Sequence, residues 1–298
     1  KVTEKYVNDV NSCRRVQRAF RPSVNPTVWC DGKEQGCQIS LFQFMIKILL
    51  KAVNFIVSFI VFFSLCTAGV YAAYALWDNS RIYAAAKDVQ ADMLKLKPQT
   101  QDVENGASFE ELLAVNPDVC AWVSLDNTKV DYPVLQGDTN LAYINKDVYG
   151  NFALAGSIFL DSRNDRTFAD TYSLLYGHHM ENSGMFGDLE LYKKKAFFDN
   201  NTTGMLILPD RAYKLEILAC LLIPVSDDFI FNTEQWQADI DGELAYIEEN
   251  ALYLHENTLE EVNRLKEPKL LALSTCSTEF TDARTIILAV MKPYQTAD

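Results

Sequence analysis

Residues 269–290 read KLLALSTCSTEFTDARTIILAV. An apolar run closes on Ser274-Thr275-Cys276, a polar loop of seven residues follows, and Arg284 opens a second apolar run. Short apolar runs bounded by polar turns read as strands. If the two are adjacent and antiparallel, Cys276 and Arg284 lie at the same end of the pair. A thiolate that attacks a carbonyl builds negative charge on oxygen, and a fixed guanidinium beside it can hydrogen-bond that charge. Upstream, YSLLYGHHM (172–180) ends a further strand-like run with a glycine and two histidines. A histidine near a cysteine allows a thiolate–imidazolium pair, or proton transfer to a leaving amine. By residue type alone the bland readings stand beside these: a cysteine ending a strand as a small hydrophobe, an arginine as a solvated charge, a histidine pair as surface.

Working outward, the other strand candidates are Cys120–Leu125 leading through Asp126-Asn127 into Lys129–Leu135, then Gly156–Leu160, Tyr172–Tyr176, Gly204–Leu208 and Tyr213–Pro224. With Lys269–Leu273 and Arg284–Met291 they make eight, and few helices interrupt them. The expected fold is mainly β, an eight-stranded closed barrel. Two helical interruptions are expected, a short one at Phe186–Lys195 and a long acidic one over 233–267. Ser108 followed by Glu111 has capping-box spacing and predicts a helix over Phe109–Val115.

Ala52 to Leu76 is twenty-five residues without a charge. At ~1.5 Å per residue it covers ~37 Å, more than the ~30 Å hydrocarbon core of a bilayer. It is longer than a signal-peptide core, and many residues precede it, so a retained anchor over 52–77 is expected over a cleaved leader or a buried helix. Lys47 and Lys51 flank it on one side; Tyr71, Tyr74 and Trp77 mark the other. Residues 1–51 carry nine Lys/Arg against four acids, whereas the remainder carries 18 against 36. The positive-inside rule then puts 1–51 in the cytoplasm and everything after Trp77 outside. The Ala/Lys-rich stretch 78–108 reads as a helical stalk and linker, with Asn79 or Ser80 as N-cap and Pro98 as terminator. A globular part so acidic would repel nucleic acid, so none is expected as a partner. Of the seven cysteines only Cys120, Cys220 and Cys276 follow the anchor, an odd number that leaves at least one free thiol. Cys120 and Cys220 fall inside strand patterns and read as buried apolar positions, and His255 reads as exposed.

The 269–290 stretch resembles the sortase signature, in which Thr-Leu-x-Thr-Cys ends a strand, the active-site Arg follows several residues later, and an upstream Gly-His supplies the histidine. Here Ala272 replaces the first Thr of that pattern. The resemblance is to class B sortases over residues 109–293, and includes NPDVCAWVSLDNTKVDYPVLQG (116–137), GSIFLDSRND (156–165) and YGHHMENSGMFGDLELY (176–192). It implies a sortase barrel over 109–298 with a long helical insert before the cysteine strand. It also implies a membrane-anchored extracellular cysteine transpeptidase with Cys276 as nucleophile, His178 as proton-transfer partner and Arg284 as electrostatic stabiliser. Ser274 and Thr275 are assigned to substrate positioning, with a structural place in the strand as the alternative. The implied partners are secreted proteins bearing a C-terminal sorting signal, and an amine from a peptidoglycan precursor or a pilin as acceptor. No cofactor is expected, and no metal: Cys30 and Cys37 lack a CxxC spacing and no loop has EF-hand spacing. The rival readings are an exported cysteine peptidase or amidase without transfer, and a non-enzymatic assembly protein on the same fold.

Overall fold

The structure, a computed structural model, describes residues 31–99, 109–276 and 283–294. The chain divides into two compact units, Lys1–Tyr74 and Ala75–Asp298.

One helix, α1 (Asp31–Leu94), dominates the described part of the first unit and continues beyond it. From Phe42 it is long and apolar enough to cross a membrane, with a mean hydropathy of 2.3 in its most apolar window and none of that window buried. The sequence predicts a fresh N-cap after Trp77, and the structure shows none. The Ser80 hydroxyl bonds back to the Trp77 carbonyl at 2.7 Å, so it serves the turn before it instead of opening a new helix. Past Leu94 the chain tightens through bonds from the N–H groups of Lys95 and Leu96 to the carbonyls of Asp92 and Met93, at 3.2 and 2.8 Å, just before Pro98.

The second unit holds the barrel. Its strands are β1 (Val119–Leu125), β2 (Asp131–Leu135), β3 (Ile158–Leu160), β4 (Tyr172–Met180), β5 (Gly184–Met185), β6 (Thr203–Ile207), β7 (Ala212–Pro224), β8 (Ala251–Leu254), β9 (Leu270–Cys276) and β10 (Ala283–Pro293). Eight of them run in the order β10-β9-β4-β3-β2-β1-β6-β7, and β10 pairs with β7 from Ala283↔Pro224 to Pro293↔Tyr213 to close the ring. The expected eight-stranded barrel is present; β5 and β8 are side strands on β4 and β7. The β2–β3 and β4–β9 pairs are parallel and the rest antiparallel.

Both faces of the β4–β9–β10 wall are covered, which is why its strands read as continuous apolar runs instead of alternating. Leu175, Leu271, Leu273 and Ile287 point into the barrel core. Tyr172, Leu174, Ala272, Ile286 and Leu288 pack outward against Trp236, Leu244, Ile247 and Leu259 of the helical insert. A third cluster, with Met93 of α1 and Leu112 of α2 (Glu110–Val115), covers Trp122, Leu135 and Phe159. Ser108, the expected cap of α2, lies outside the described residues.

The helical insert is segmented, against the expectation of one long helix over 233–267. After α3 (Lys195–Asn200) and α4 (Asp228–Phe231) come α5 (Thr233–Ala238), α6 (Ile240–Asn250), β8 and α7 (Glu256–Arg264). Asp239 leaves helical geometry at φ −147 and its carboxylate accepts from the Gly242 N–H at 3.1 Å, capping a new helix. The apolar tetrapeptide 251–254 then pairs with β7, Cys220 facing Tyr253 and Ala219 facing Leu254. A sheet edge in need of a partner wins over helical periodicity there.

Candidate active site

The parallel pairing of β4 with β9 runs from Tyr172↔Leu270 to His178↔Cys276. The two residue types that nucleophilic chemistry needs therefore face each other across neighbouring strands at the last pair of the ladder. On the other side of β9, the regular ladder to β10 ends at Ile286↔Ser274. Beyond it side chains replace backbone pairing. The Thr285 N–H donates to Thr275 Oγ1 at 3.2 Å, and Arg284 Nη1 donates to the Thr275 carbonyl at 2.9 Å. Arg284 is thus tied to the residue immediately before Cys276.

His178 is half-buried, and its Nε2 lies 2.7 Å from the carbonyl oxygen of Ile144. A carbonyl can only accept, so Nε2 is the donor in this contact and the ring is oriented by it. Gly156, at φ +59, makes this contact possible: a Cβ there would stand 2.5 Å from the Ile144 oxygen and 3.0 Å from His178 Cδ2. Sequence reading missed the Ile144 carbonyl, which has no residue-type signature. The Gly opening GSIFLDSRND was the available signal.

Extended backbone persists through both histidines, so His178 and His179 project to opposite faces. At Gly177 the space where a side chain would stand is taken by Ile158 and Phe186 of the barrel core, at 2.4 and 2.7 Å, so the missing Cβ serves core packing. Ser274 and Thr275 are fully buried at the strand end, with the Thr275 hydroxyl engaged by the Thr285 backbone. His255 is half-buried and stacks on Phe198 at 4.1 Å, correcting its expected exposure. Cys120 and Cys220 are buried and free, and burial pushes both thiols up to about 12. Neither supplies a thiolate at neutral pH.

No family model matches the chain. It is 30% identical over 184 residues to sortase B of Staphylococcus aureus, covering 62% of this chain and 73% of that protein. Among solved structures, Spy0129, a Streptococcus pyogenes class B sortase involved in pilus biogenesis, is similar at a TM-score of 0.56 and 38% identity, over 63% of this chain and 99% of that one. A Staphylococcus aureus sortase B–substrate complex is similar at a TM-score of 0.58 and 25% identity, over 73% and 97% respectively. A closed eight-stranded barrel carrying cysteine, histidine and arginine at one end of adjoining strands defines a sortase. The chain belongs to the sortase B family.

Proposed function

We propose that this sortase is a transpeptidase in which Cys276 is the nucleophile, His178 the proton carrier and Arg284 the stabiliser of developing charge. The carrying observation is the strand register that sets His178 opposite Cys276, with the Arg284 guanidinium bonded to the preceding carbonyl. The Cys276 thiolate attacks the backbone carbonyl of a Thr in a sorting motif, and charge accumulates on the carbonyl oxygen, where Arg284 acts. The C–N bond breaks, the leaving amine takes a proton from His178, and a thioester remains. An amine of peptidoglycan or of a pilin lysine attacks the thioester, gives its proton to His178, forms a new amide and releases the Cys276 sulfur. Thr275 serves by holding Arg284 and β10 in place, and its buried side chain supports this over direct substrate contact.

The apolar segment 52–77 anchors the enzyme, with 1–51 cytoplasmic, 78–108 as the stalk and the catalytic domain 109–298 outside. Charge asymmetry supports that direction. An outward-facing enzyme on one helix meets secreted substrates still held in the same membrane.

The test screens a pentapeptide library for acyl-enzyme by intact mass, then adds an amine to the peptide that reacts fastest. Expected are a thioester adduct, absent in Cys276→Ala, and a product carrying the amine. Adduct formation followed only by free acid would make this a hydrolase, and turnover by Cys276→Ala would overturn the mechanism.

A further inference from the structure

We infer that Glu190 is a positioning residue for Arg284, acting through Thr285; this rests on the role of Arg284 proposed above. Arg284 lies beyond the point where regular pairing between β9 and β10 stops, at Ile286↔Ser274, so only its β7 side, at Arg284↔Ile223, is held by a ladder. On the β9 side the strand end is held through Thr285, whose side chain is buried. Its N–H is held by the Thr275 hydroxyl at 3.2 Å, and its own hydroxyl donates to Glu190 Oε1 at 2.6 Å. Glu190 is itself fixed by an ion pair with Lys193, one turn along the 3-10 helix Gly187–Lys193.

That 3-10 helix follows closely on the histidine strand. Phe186 N–H bonds to the His178 carbonyl at 3.0 Å, and β5 pairs with His179 and Met180 just before it. Glu190 therefore joins the element leaving His178 to the first turn-out of the arginine strand. The link runs from carboxylate to hydroxyl to backbone, and the Thr275 hydroxyl and carbonyl then receive Thr285 and Arg284 respectively. A hydrogen bond to a charged acceptor is stronger than a neutral one and is directional. Glu190 is three-quarters buried at its side chain, so water replaces this bond poorly. Loss of the bond frees the Thr285 side chain in a buried site and lets Arg284 drift from where charge develops. Distances of this order decide how well a donor stabilises a transition state.

The experiment uses the full chain in detergent micelles and the internally quenched form of the fastest library peptide. Glu190→Ala and Thr285→Val should each lower kcat about ten- to a hundredfold, with KM within about twofold. Glu190→Gln and Thr285→Ser, which keep an acceptor and a donor, should recover most of the rate while sharing any general packing defect. In an Arg284→Ala background, single-turnover acylation should fall less than about twofold further on Glu190→Ala, because the residue being positioned is gone. A parental kcat in Glu190→Ala beside a defective Arg284→Ala overturns the inference, as does a fully multiplicative double mutant. Full activity of Arg284→Ala would instead overturn the role of Arg284 from which the inference starts.

Discussion

Glu243 of α6 is 1% exposed, and its carboxyl oxygens make no hydrogen bond of normal geometry. Burial, then repulsion from Asp239 and Asp227, raises it from an ordinary 4.5 to about 7, against a smaller opposing interaction with Gln235. Such a group binds its proton more tightly in the folded chain. Below pH 4.5 it is neutral in both states; as pH rises the unfolded chain ionises first, and stability falls until about pH 7. At ~1.4 kcal/mol per tenfold change in proton concentration, that interval is worth about 3 kcal/mol. Glu243→Gln carries no proton to lose, so it should match the parent near pH 4.5 and exceed it by up to about 3 kcal/mol at pH 8. For a domain of this size that is roughly 6–12 °C in Tm. The assay is urea unfolding of the full chain in micelles at a series of pH values. Trp236 is a local reporter because it is buried in the same layer and stacked on Tyr172 at 4.2 Å. Asp161, held below the usual carboxylate range by Arg163 despite the cost of its burial, works in the opposite direction. The difference between variant and parent isolates Glu243. A difference that stays flat from pH 4.5 to 8, or a variant less stable than the parent at pH 8, would refute the reasoning.

Two further outcomes are expected. His178→Ala should lose nearly all peptide turnover while His179→Ala loses only a modest fraction, since the strand turns them to opposite faces; rates on the two variants, with circular dichroism as the folding control, decide it, and the reverse order would move the proton-transfer role to His179. Removing residues 1–77 should leave a soluble domain that still cleaves short peptides, because among the described residues the apolar clusters of the barrel unit begin at Ile82; aggregation or lost turnover would make the segment part of the fold.

The barrel was legible because local patterns and long-range need agree along most strands. Lys269–Leu273 and Arg284–Met291 are apolar on both faces, and in the fold both faces are covered, by the core and by the insert. Where the two disagree, sequence reading failed. Residues 251–254 sit in a helical pattern, yet β7 has an edge at Ala219–Leu221 that only an extended segment can satisfy, and that edge lies thirty or more residues upstream. Ser80 has the chemistry of a cap, but a serine inside a helix can bond back to its own turn, and the choice depends on whether the preceding residues are already helical. In α1 they are.

The site divides along the same line. Cysteine, histidine and arginine announce themselves by reactivity, so their types and strand-end positions were readable before any pairing was known. What orients them was not readable, because it consists of groups every residue possesses or of partners far apart in the chain. Ile144 offers His178 only a backbone oxygen, and Thr285 reaches a carboxylate 95 positions away. Even the facing of His178 and Cys276 is a parallel pairing between strands almost a hundred residues apart. Parallel neighbours of that kind need a long connection, and β5, β6, β7, β8 and the insert helices all lie in it. The insert therefore does two things at once: its apolar face covers the outer side of the very strands its length allows to meet. On the mechanism proposed above, the register that sets His178 opposite Cys276 depends on long-range pairing that the barrel and its insert must complete together. On the proposed mechanism, changes in the insert core at Glu243 or Trp236 should for that reason reach catalysis through the β4–β9 register, whereas changes at Glu190 should reach it through Thr285 and Arg284.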